Sequence, residues 1–328
     1  MDGVSPVDGA LLHAVSEVHV VSIPMRVPFR GVRHREAALL RGPAGWGEFG
    51  PFLEYGDAES ARWLAAAVEA ATVGWPAPLR ASVPVNATVP AVAARDVAGV
   101  LARFPGCTTA KVKVAQAGQE LSDDLARVAA VRELLGATGR VRVDANAGWS
   151  LEQARRALDA LAPYGLEYAE QPCASLADLA ALRGRGVLIA ADESVRKADD
   201  PLLVARAGAA DVIVVKVAPL GGVAAALEVA RRCGLPVVVS SALDTSVGIA
   251  AGVALAAALP DLPYACGLAT AALLAADVVR ASLVGHGGAI AVGAVRPDPG
   301  LLEQLAAPPD RQAWWRARIE RCAATLAG

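Results

Sequence analysis

The sequence predicts an α/β fold: a modified (β/α)7β barrel of the TIM type with an α+β capping domain. Two observations predict it. From about residue 83 onward, short apolar segments alternate with alanine-rich helical runs that end in Gly or Pro. A polar residue also recurs near the carboxyl end of each apolar segment, every 22 to 31 residues. These residues are Lys113, Asp144, Glu170, Asp192, Lys216, Ser240 and Cys266.

A closed barrel explains this recurrence better than an open sheet does. The carboxyl ends of all barrel strands meet at one face, which is where active sites of such barrels lie. An open doubly wound sheet would concentrate its ligand residues at one switch point, next to a glycine-rich phosphate loop. No such loop follows the first strand of the repeat, so the barrel is predicted.

The capping domain is predicted from both ends of the chain. We expect residues 1–82 to form most of it, residues 83–291 to form the barrel, and residues 292–328 to return as a tail that completes the cap. Alternating apolar positions in the first part indicate antiparallel strands, and residues 57–71 have the acidic first turn of a helix.

Two segments of the cap, residues 24–33 and 45–56, mix aromatic residues with Gly, Pro and charge. This composition is typical of loops. We predict that both are loops, and that they contact the substrate rather than a metal.

Composition narrows the classes of function. The net charge is −2 and basic residues do not cluster with aromatics, which disfavours nucleic-acid or membrane partners. The apolar run at residues 247–260 is too short to span a bilayer, and residues 1–10 lack the features of a signal peptide. Five scattered cysteines without a CxxC motif indicate free thiols. We expect a cytoplasmic protein that needs no obligate protein partner.

Three carboxylates, Asp144, Glu170 and Asp192, follow three consecutive strands. Brought together, they would repel one another unless a cation lay between them. An all-oxygen set suits Mg²⁺ or Mn²⁺ rather than zinc. The alternative is that they are ordinary acidic residues at helix N-termini, but their occurrence in three consecutive units favours a metal site.

Lysines supply the second part of the pattern. Lys111 and Lys113 lie on one face of a predicted strand, and Lys216 stands alone in an apolar run. A lysine inside a barrel is costly to bury without a partner. Burial next to a cation or another lysine would lower its pKa and make it a usable base. Taken alone, Lys113 or Lys216 could be an ordinary surface residue whose ammonium group reaches water.

Together these motifs resemble the enolase superfamily over essentially the whole chain. The matching residues are Lys111 and Lys113 in K-x-K, Asp144 and Asn146 in D-x-N, Glu170 in E-Q-P, Asp192 in D-E-S, and the single Lys216. Within the subgroup that resembles muconate-lactonizing enzymes, the chain looks most like the o-succinylbenzoate synthases, dehydratases of menaquinone biosynthesis. Arg142, two residues before Asp144, is a mark of that family.

The resemblance implies a reaction and a set of roles. The substrate would be a small carboxylate, 2-succinyl-6-hydroxy-2,4-cyclohexadiene-1-carboxylate, and the cofactor Mg²⁺, with Mn²⁺ also accepted. Lys113 would remove the α-proton and Lys216 would stabilise the resulting anion from the opposite face. Asp144, Glu170 and Asp192 would hold the metal. The implied substrate contacts are Lys111, Arg142, Asn146, Ser240 and Gly267.

Some relatives within the superfamily are excluded and others remain open. The seventh strand has no His, which excludes the His–Asp base of enzymes that resemble mandelate racemase. The eighth strand, around Cys266, lacks the D-x-D with which dipeptide epimerases hold an amino terminus. Lactonisation of muconate and racemisation of N-acylamino acids use the same lysines and metal. The N-acylamino-acid racemase, or a bifunctional enzyme, therefore stays an alternative. A barrel that binds a ligand without catalysis is a further alternative. The complete lysine and carboxylate set argues against it.

Overall fold

The computed structural model describes residues 13–29, 31–196 and 200–327. Residues 1–10, which were considered for an export signal, lie outside the described part, as does Arg30 of the segment 24–33. Within the described residues, no helix combines the length and the apolar character that crossing a bilayer requires.

The N-terminal part of the cap is a three-stranded antiparallel sheet followed by a helix. Strands β1 (Glu17–Phe29), β2 (Val32–Gly42) and β3 (Gly45–Phe49) pair in sequence order, and helix α1 (Asp57–Thr72) packs across β3. The helix approaches so closely that a Cβ at Gly47 would overlap the carbonyl of Ala67. Glycine is therefore required there by packing.

Of the two segments predicted as loops, the first is largely strand: residues 24–29 end β1 and Val32 begins β2. The second is strand only at residues 45–49, which are β3. Its remaining residues, 50–56, form a connection that leads to α1, as predicted. The aromatic and glycine-rich composition was misleading because cross-strand pairing, and not local propensity, decides whether such a segment becomes a strand.

The barrel follows the predicted order of units. Seven parallel strands form one sheet in the order β11-β10-β9-β8-β7-β6-β5. The sheet is closed by two isolated parallel bridges, Ser240 with Gly267 and Val85 with Cys266, so the eighth segment contributes bridges rather than a full strand. The strands are β5 (Ala87–Val89), β6 (Thr109–Lys113), β7 (Arg140–Asp144), β8 (Leu166–Glu170), β9 (Leu188–Ala191), β10 (Val212–Val215) and β11 (Val237–Val239).

Helices connect the barrel strands, and several begin at side-chain caps. Ser150 and Gln153 form a capping box, Glu120 and Asp123 form another, and Thr245 accepts from the backbone of Val247. The barrel helices are α2 (Val97–Leu101), α3 (Leu121–Leu135), α4 (Leu151–Leu161), α5 (Leu176–Leu182), α6 (Glu193–Arg196), α7 (Leu203–Arg206), α8 (Val217–Leu220), α9 (Val223–Cys233) and α10 (Ser246–Ala258). Short 3₁₀ turns occupy Ala94–Asp96, Ala162–Tyr164 and Thr270–Leu273.

The C-terminal tail returns to the cap, as predicted. After the antiparallel ribbon of β4 (Ser82–Pro84) and β12 (Ala289–Ala291), the chain forms α11 (Pro299–Gln304) and α12 (Pro309–Ala327). Helix α12 packs on α1 and β1. Its Trp315 is fully buried, as expected of a packing residue, and donates to Glu36 at 2.8 Å.

Arg318 of α12 fixes the connection at residues 50–56. Its guanidinium donates to the carbonyls of Phe52 at 3.1 Å and Tyr55 at 2.6 Å. The fold class is thus confirmed: a curled parallel barrel with an α+β cap built from both chain ends. The residue boundaries of the three parts stay predictions.

Candidate active site

The strand register brings the predicted residues to one face of the barrel. Lys113 is the Cα partner of Asp144 in the β6–β7 pair, and Asp144 is the partner of Glu170 in the β7–β8 pair. Asp192 and Lys216 each lie one residue beyond the ends of β9 and β10. A parallel sheet aligns strand ends in this way, which is why residues far apart in sequence share one site.

A small cavity of about 40 Å³ opens at this face of the barrel. The cap contributes three aromatic side chains to its wall: Phe29, Phe52 and Trp63. The predicted residues that line it are Lys111, Lys113, Asp144, Asn146, Lys216, Ser240 and Gly267. Glu170 and Asp192 are almost fully buried beneath the lysines that bind them.

Ion pairs connect each lysine to the carboxylates. Lys113 Nζ lies 2.5 Å from Asp144 Oδ2, and Lys216 Nζ lies 2.6 Å from Asp192 Oδ2. Lys111 Nζ donates to both oxygens of Glu170, at 2.7 and 2.9 Å, and lies 3.2 Å from Asp144. Lys111, Lys113, Asp144 and Glu170 therefore form one connected set of ion pairs. Lys216 and Asp192 form a separate pair.

Burial and charge shift the pKa values in this network. Burial lowers the pKa of Lys113, against the attraction of Asp144, and the nearby Lys111 lowers it further. For Lys111, burial also acts to lower the pKa, but the carboxylates of Glu170 and Asp144 outweigh it and raise the value. Lys111 is thus held as a cation, whereas Lys113 is moved toward the neutral form that a base requires.

The carboxylates are shifted in different directions. Burial and repulsion from Asp144 raise the pKa of Glu170 to about 7. Burial acts to raise the pKa of Asp192 also, but Lys216 and Arg196 lower it to about 2. For Asp144 the neighbouring lysines likewise outweigh burial and lower the pKa well below its usual range.

Asp144, Glu170 and Asp192 suit a divalent cation because they offer oxygen donors and lie at one face of the barrel. As the side chains stand, no three His, Cys, Asp or Glu residues in the described part of the chain converge closely enough to hold a metal ion. Lysine ammonium groups lie between the carboxylates instead. Burial, and after it repulsion from Asp144 and Asp192, raises the pKa of Glu170, and a hard cation would relieve that repulsion. Metal binding therefore requires these lysine contacts to rearrange.

Backbone strain accompanies the site. After four of the strands, a residue other than glycine adopts a positive φ within three positions of a predicted site residue. Such conformations persist only where the surroundings enforce them, and they concentrate at functional sites. They are Ala115 (58°), Asn146 (45°), Ala147 (63°), Gln171 (37°) and Leu243 (63°).

Arg142 is not where its predicted role requires it. It is fully buried and does not line the cavity. Its guanidinium donates to Glu167 at 2.5 Å and to Asn86 at 3.0 Å, and lies 4.7 Å from the ring centre of Tyr168. Arg142 and Asp144 do share one face of β7, but two residues apart means different layers of the barrel interior. A direct substrate contact is therefore not supported for Arg142.

Two residues that sequence reasoning missed organise the turn that carries Asp192. Gln171 Oε1 accepts from the backbone N–H of Asp192 at 2.9 Å and of Ser194 at 3.1 Å. Arg196 Nε donates to Asp192 Oδ1 at 3.1 Å. The position of Gln171 in E-Q-P, directly after Glu170, was the available signal. Nothing local to the sequence distinguishes Arg196.

Comparison with known proteins defines the class first. The chain matches the family model of enolase N-terminal domain-like proteins at residues 20–71 and that of enolase C-terminal domain-like proteins at residues 92–305. Muconate lactonizing enzyme from Pseudomonas fluorescens, in complex with muconolactone, aligns with a TM-score of 0.77 at 23% identity, over 90% of this chain and 100% of that chain. A dipeptide epimerase from Enterococcus faecalis, in complex with Mg and a dipeptide, aligns with a TM-score of 0.72 at 23% identity, over 86% and 97%.

Curated relatives are considerably more similar. A protein of Mycobacterium leprae named o-succinylbenzoate synthase is 57% identical over 96% of this chain and 94% of its own length. One of Mycobacterium tuberculosis with the same name is 55% identical over 98% of both chains. The chain belongs to the o-succinylbenzoate synthase family of the enolase superfamily.

Proposed function

We propose that this chain catalyses the syn-dehydration of 2-succinyl-6-hydroxy-2,4-cyclohexadiene-1-carboxylate to 2-succinylbenzoate, a hydro-lyase step of menaquinone biosynthesis. The observation that carries the proposal is the arrangement of two lysines, the partly buried Lys113 and the buried Lys216, over three buried carboxylates from consecutive strands. The names of its relatives support the dehydratase over the N-acylamino-acid racemase. The substrate is a small molecule, and the chemistry needs no nucleic acid.

Asp144, Glu170 and Asp192 would hold Mg²⁺, and Mn²⁺ should replace it. When bound, the ion supplies positive charge beside the substrate carboxylate, which makes the α-proton more acidic. The oxygen-only donor set supports this assignment. So does the repulsion from Asp144 that, after burial, raises the pKa of Glu170. Lys111, held as a cation against Glu170, would also face the substrate carboxylate.

Lys113 would carry out both proton transfers. Its lowered pKa suits the removal of the α-proton. Asn146 Oδ1 accepts from Lys113 Nζ at 2.6 Å, which orients the amine. In a syn-elimination the hydroxyl leaves from the same face, so the protonated Lys113 can return its proton to that hydroxyl as it departs as water. Formation of the aromatic ring drives this step.

The remaining groups stabilise and enclose the substrate. Lys216, paired with Asp192 at 2.6 Å, would place its positive charge opposite Lys113 and stabilise the anion formed by proton removal. Ser240 and Gly267 line the cavity and would contact the substrate. Phe29 and Phe52 from the cap would cover it and exclude water.

The proposal is tested by metal removal and by substitution of the carboxylates. Chelation should abolish dehydration of the synthetic substrate, and added Mg²⁺ or Mn²⁺ should restore it. Asp144→Asn, Glu170→Gln and Asp192→Asn should each lower kcat by several orders of magnitude while thermal unfolding remains cooperative. Asp159→Asn, which removes an exposed carboxylate, is the matched control and should match the native enzyme. Full activity of metal-free protein would contradict the proposal.

A further inference from the structure

Arg196 joins parts of the molecule that the proposed mechanism treats separately. It ends the short helix α6 and is 4% exposed. Its three guanidinium nitrogens contact three different residues: Nε donates to Asp192 Oδ1 at 3.1 Å, Nη1 to Tyr55 Oη at 3.0 Å, and Nη2 to Glu193 Oε1 at 2.7 Å. Tyr55 belongs to the cap, whereas the other two residues belong to the barrel.

We propose that Arg196 is a positioning residue that couples the seating of the cap to the metal affinity of the carboxylate site. The inference rests on the proposed function for the role of Asp192 as a metal ligand. It assigns to Arg196, which also lines the cavity, the task of fixing the orientation of that carboxylate. Groups that hydrogen-bond to a ligating carboxylate set its orientation and contribute to metal affinity.

The first link runs from Arg196 to Asp192. The two oxygens of this carboxylate are divided between partners: Oδ1 accepts from Arg196, and Oδ2 lies 2.6 Å from Lys216. If the Lys216 contact is released when a metal binds, Arg196 still holds Oδ1. The carboxylate is then left with Oδ2 facing the site.

A second link reaches the opposite side of the site. Glu193 Oε1 accepts from Arg196 and also from Asn146 Nδ2 at 3.1 Å. Asn146 in turn accepts from Lys113 Nζ through Oδ1. With a donor on one side and an acceptor on the other, the amide has only one orientation that satisfies both partners. Arg196 therefore supports the surroundings of Lys113 and of Lys216 at once.

The third link reaches the substrate through the cap. Tyr55 packs edge-on against Phe52 at 5.5 Å and against Trp63 at 6.1 Å between ring centres. Both of these rings line the cavity. A substrate that presses on them also seats the Tyr55 hydroxyl against Arg196. By thermodynamic linkage, a contact that strengthens metal binding when the cap is seated must strengthen cap seating when the metal is bound.

The geometry favours positioning over direct substrate binding by Arg196. Each of its three nitrogens is already engaged, and two of the partners are carboxylates that neutralise its charge. A lysine could supply the charge, but a single ammonium group cannot reproduce three contacts spread over a planar fork. An arginine at position 196 can therefore contact Asp192, Tyr55 and Glu193 at once.

The test measures Mg²⁺ affinity by titration calorimetry without substrate, on the full chain freed of metal. Arg196→Gln should weaken Mg²⁺ binding about 10- to 100-fold, the usual effect of removing a partner of a metal ligand. Tyr55→Phe removes one hydroxyl, far from the carboxylates, and should weaken binding severalfold. In the double variant the tyrosine change should add nothing, because its effect passes through Arg196. Arg196→Lys should recover part of the affinity without restoring the effect of Tyr55→Phe.

Arg206→Gln removes an exposed arginine of α7 that pairs with Asp200, and as the charge control it should bind Mg²⁺ like the native protein. If the native protein binds no Mg²⁺, the proposed function fails at its metal. If it binds but Arg196→Gln binds equally well, the inference is wrong while the function stands. Equal weakening by Tyr55→Phe in the native and Arg196→Gln backgrounds would likewise overturn the coupling. Should Arg196→Gln unfold, Arg196→Lys and its double variant with Tyr55→Phe decide the same question.

Discussion

The two sides of the site place the same side chain in different surroundings. Lys113 ends β6 and contacts Asp144, Asn146 and, at 5.2 Å, the ring of Phe29. For Lys216, directly after β10, Asp192 is the one hydrogen-bond partner found among the described residues. A base must present its amine in one direction, which takes several contacts. A group that contributes only charge needs proximity, and a single ion pair provides that. The difference supports the proposal that Lys113, rather than Lys216, moves protons.

The largest expected effect separates the lysines by deletion. Lys113→Ala should lower kcat by about 10⁴-fold, the upper range for loss of a general base, and should abolish exchange of the substrate α-proton with solvent. Lys216→Ala should cost a few powers of ten, because a unit charge near 4 Å in a partly desolvated site is worth several kcal/mol. Proton exchange followed by NMR in deuterated buffer checks both. Dehydration that survives in Lys113→Ala but not in Lys216→Ala would reverse the two roles.

The second prediction asks whether Lys216 acts through charge alone. Lys216→Arg keeps the charge but is a poor base, so it should recover at least tenfold of the dehydration lost in Lys216→Ala. It should recover no racemisation of an N-acylamino acid, where the lysine opposite Lys113 must carry a proton. Steady-state rates on the two substrates make the comparison. Recovery of racemisation would show that position 216 does not transfer the proton there.

The third prediction concerns the extra contact on the Lys113 side. Asn146→Ala removes the acceptor that orients Lys113, and hydrogen bonds to charged groups contribute about 1.5–3 kcal/mol. We expect kcat to fall about 10- to 100-fold with KM little changed. Gln116→Ala, at the neighbouring rim, is a matched amide deletion and should have a much smaller effect. An equal loss in both variants would mean that Asn146 contributes packing rather than orientation.

The sequence is sufficient to predict the residues at the strand ends, because each repeat of the βα unit places one such residue at the same face of the barrel. Lys113, Asp144, Glu170, Asp192 and Lys216 were all found by this regularity, and the structure brings them together. Their roles stay predictions. What the repeat does not encode is depth along the barrel axis.

Arg142 shows the consequence of that missing information. Its position two residues before Asp144 predicts the same face, but the layer below the site is filled by Tyr168 and Glu167, to which Arg142 is bound. Arg196 was missed for the opposite reason. Its role depends on Tyr55, 141 positions away in sequence, and no local pattern reports such a contact. The cap loops were misjudged because strand pairing between β1, β2 and β3 is also non-local.

The fourth prediction examines the cap over the Lys113 side. Phe29→Ala should raise KM severalfold, or change substrate preference, more than it lowers the rate of proton abstraction, since the ring covers the cavity without contacting the carboxylates. Val18→Ala, near the other end of β1, is the control for strand packing. A collapse of Mg²⁺ affinity in Phe29→Ala would show that the ring supports the metal site instead.

The smallest effect is expected near Lys216, at the cap residue Glu48, which lines a second cavity together with that lysine. Glu48 of the cap accepts from Thr245 Oγ1 at 2.6 Å and from the backbone of Gly248 at 3.0 Å, at the start of α10. Burial, together with repulsion from Asp244, raises its pKa to about 8. The pair therefore keeps a proton at neutral pH, although Arg35 lies 3.8 Å from Asp244.

The sign of the pH effect follows from that shift. Above pH 4.5 the unfolded chain releases the Glu48 proton while the folded chain retains it until about pH 8, so this group's stabilising contribution is lost as pH rises across that window. Glu48→Gln should flatten the pH dependence of stability. Between pH 5 and 8 its Tm should change by a few degrees less than the Tm of the native protein does. Glu36 is the matched control: burial alone would raise its pKa, but hydrogen bonds from Arg311 and Trp315 lower it. Glu36→Gln should thus be less stable than the native protein at neutral pH, and this difference in stability should disappear on acidification. If Glu48→Gln instead lowers stability most at pH 8, Glu48 is ionised in the folded protein and the α10 N-terminus holds a carboxylate.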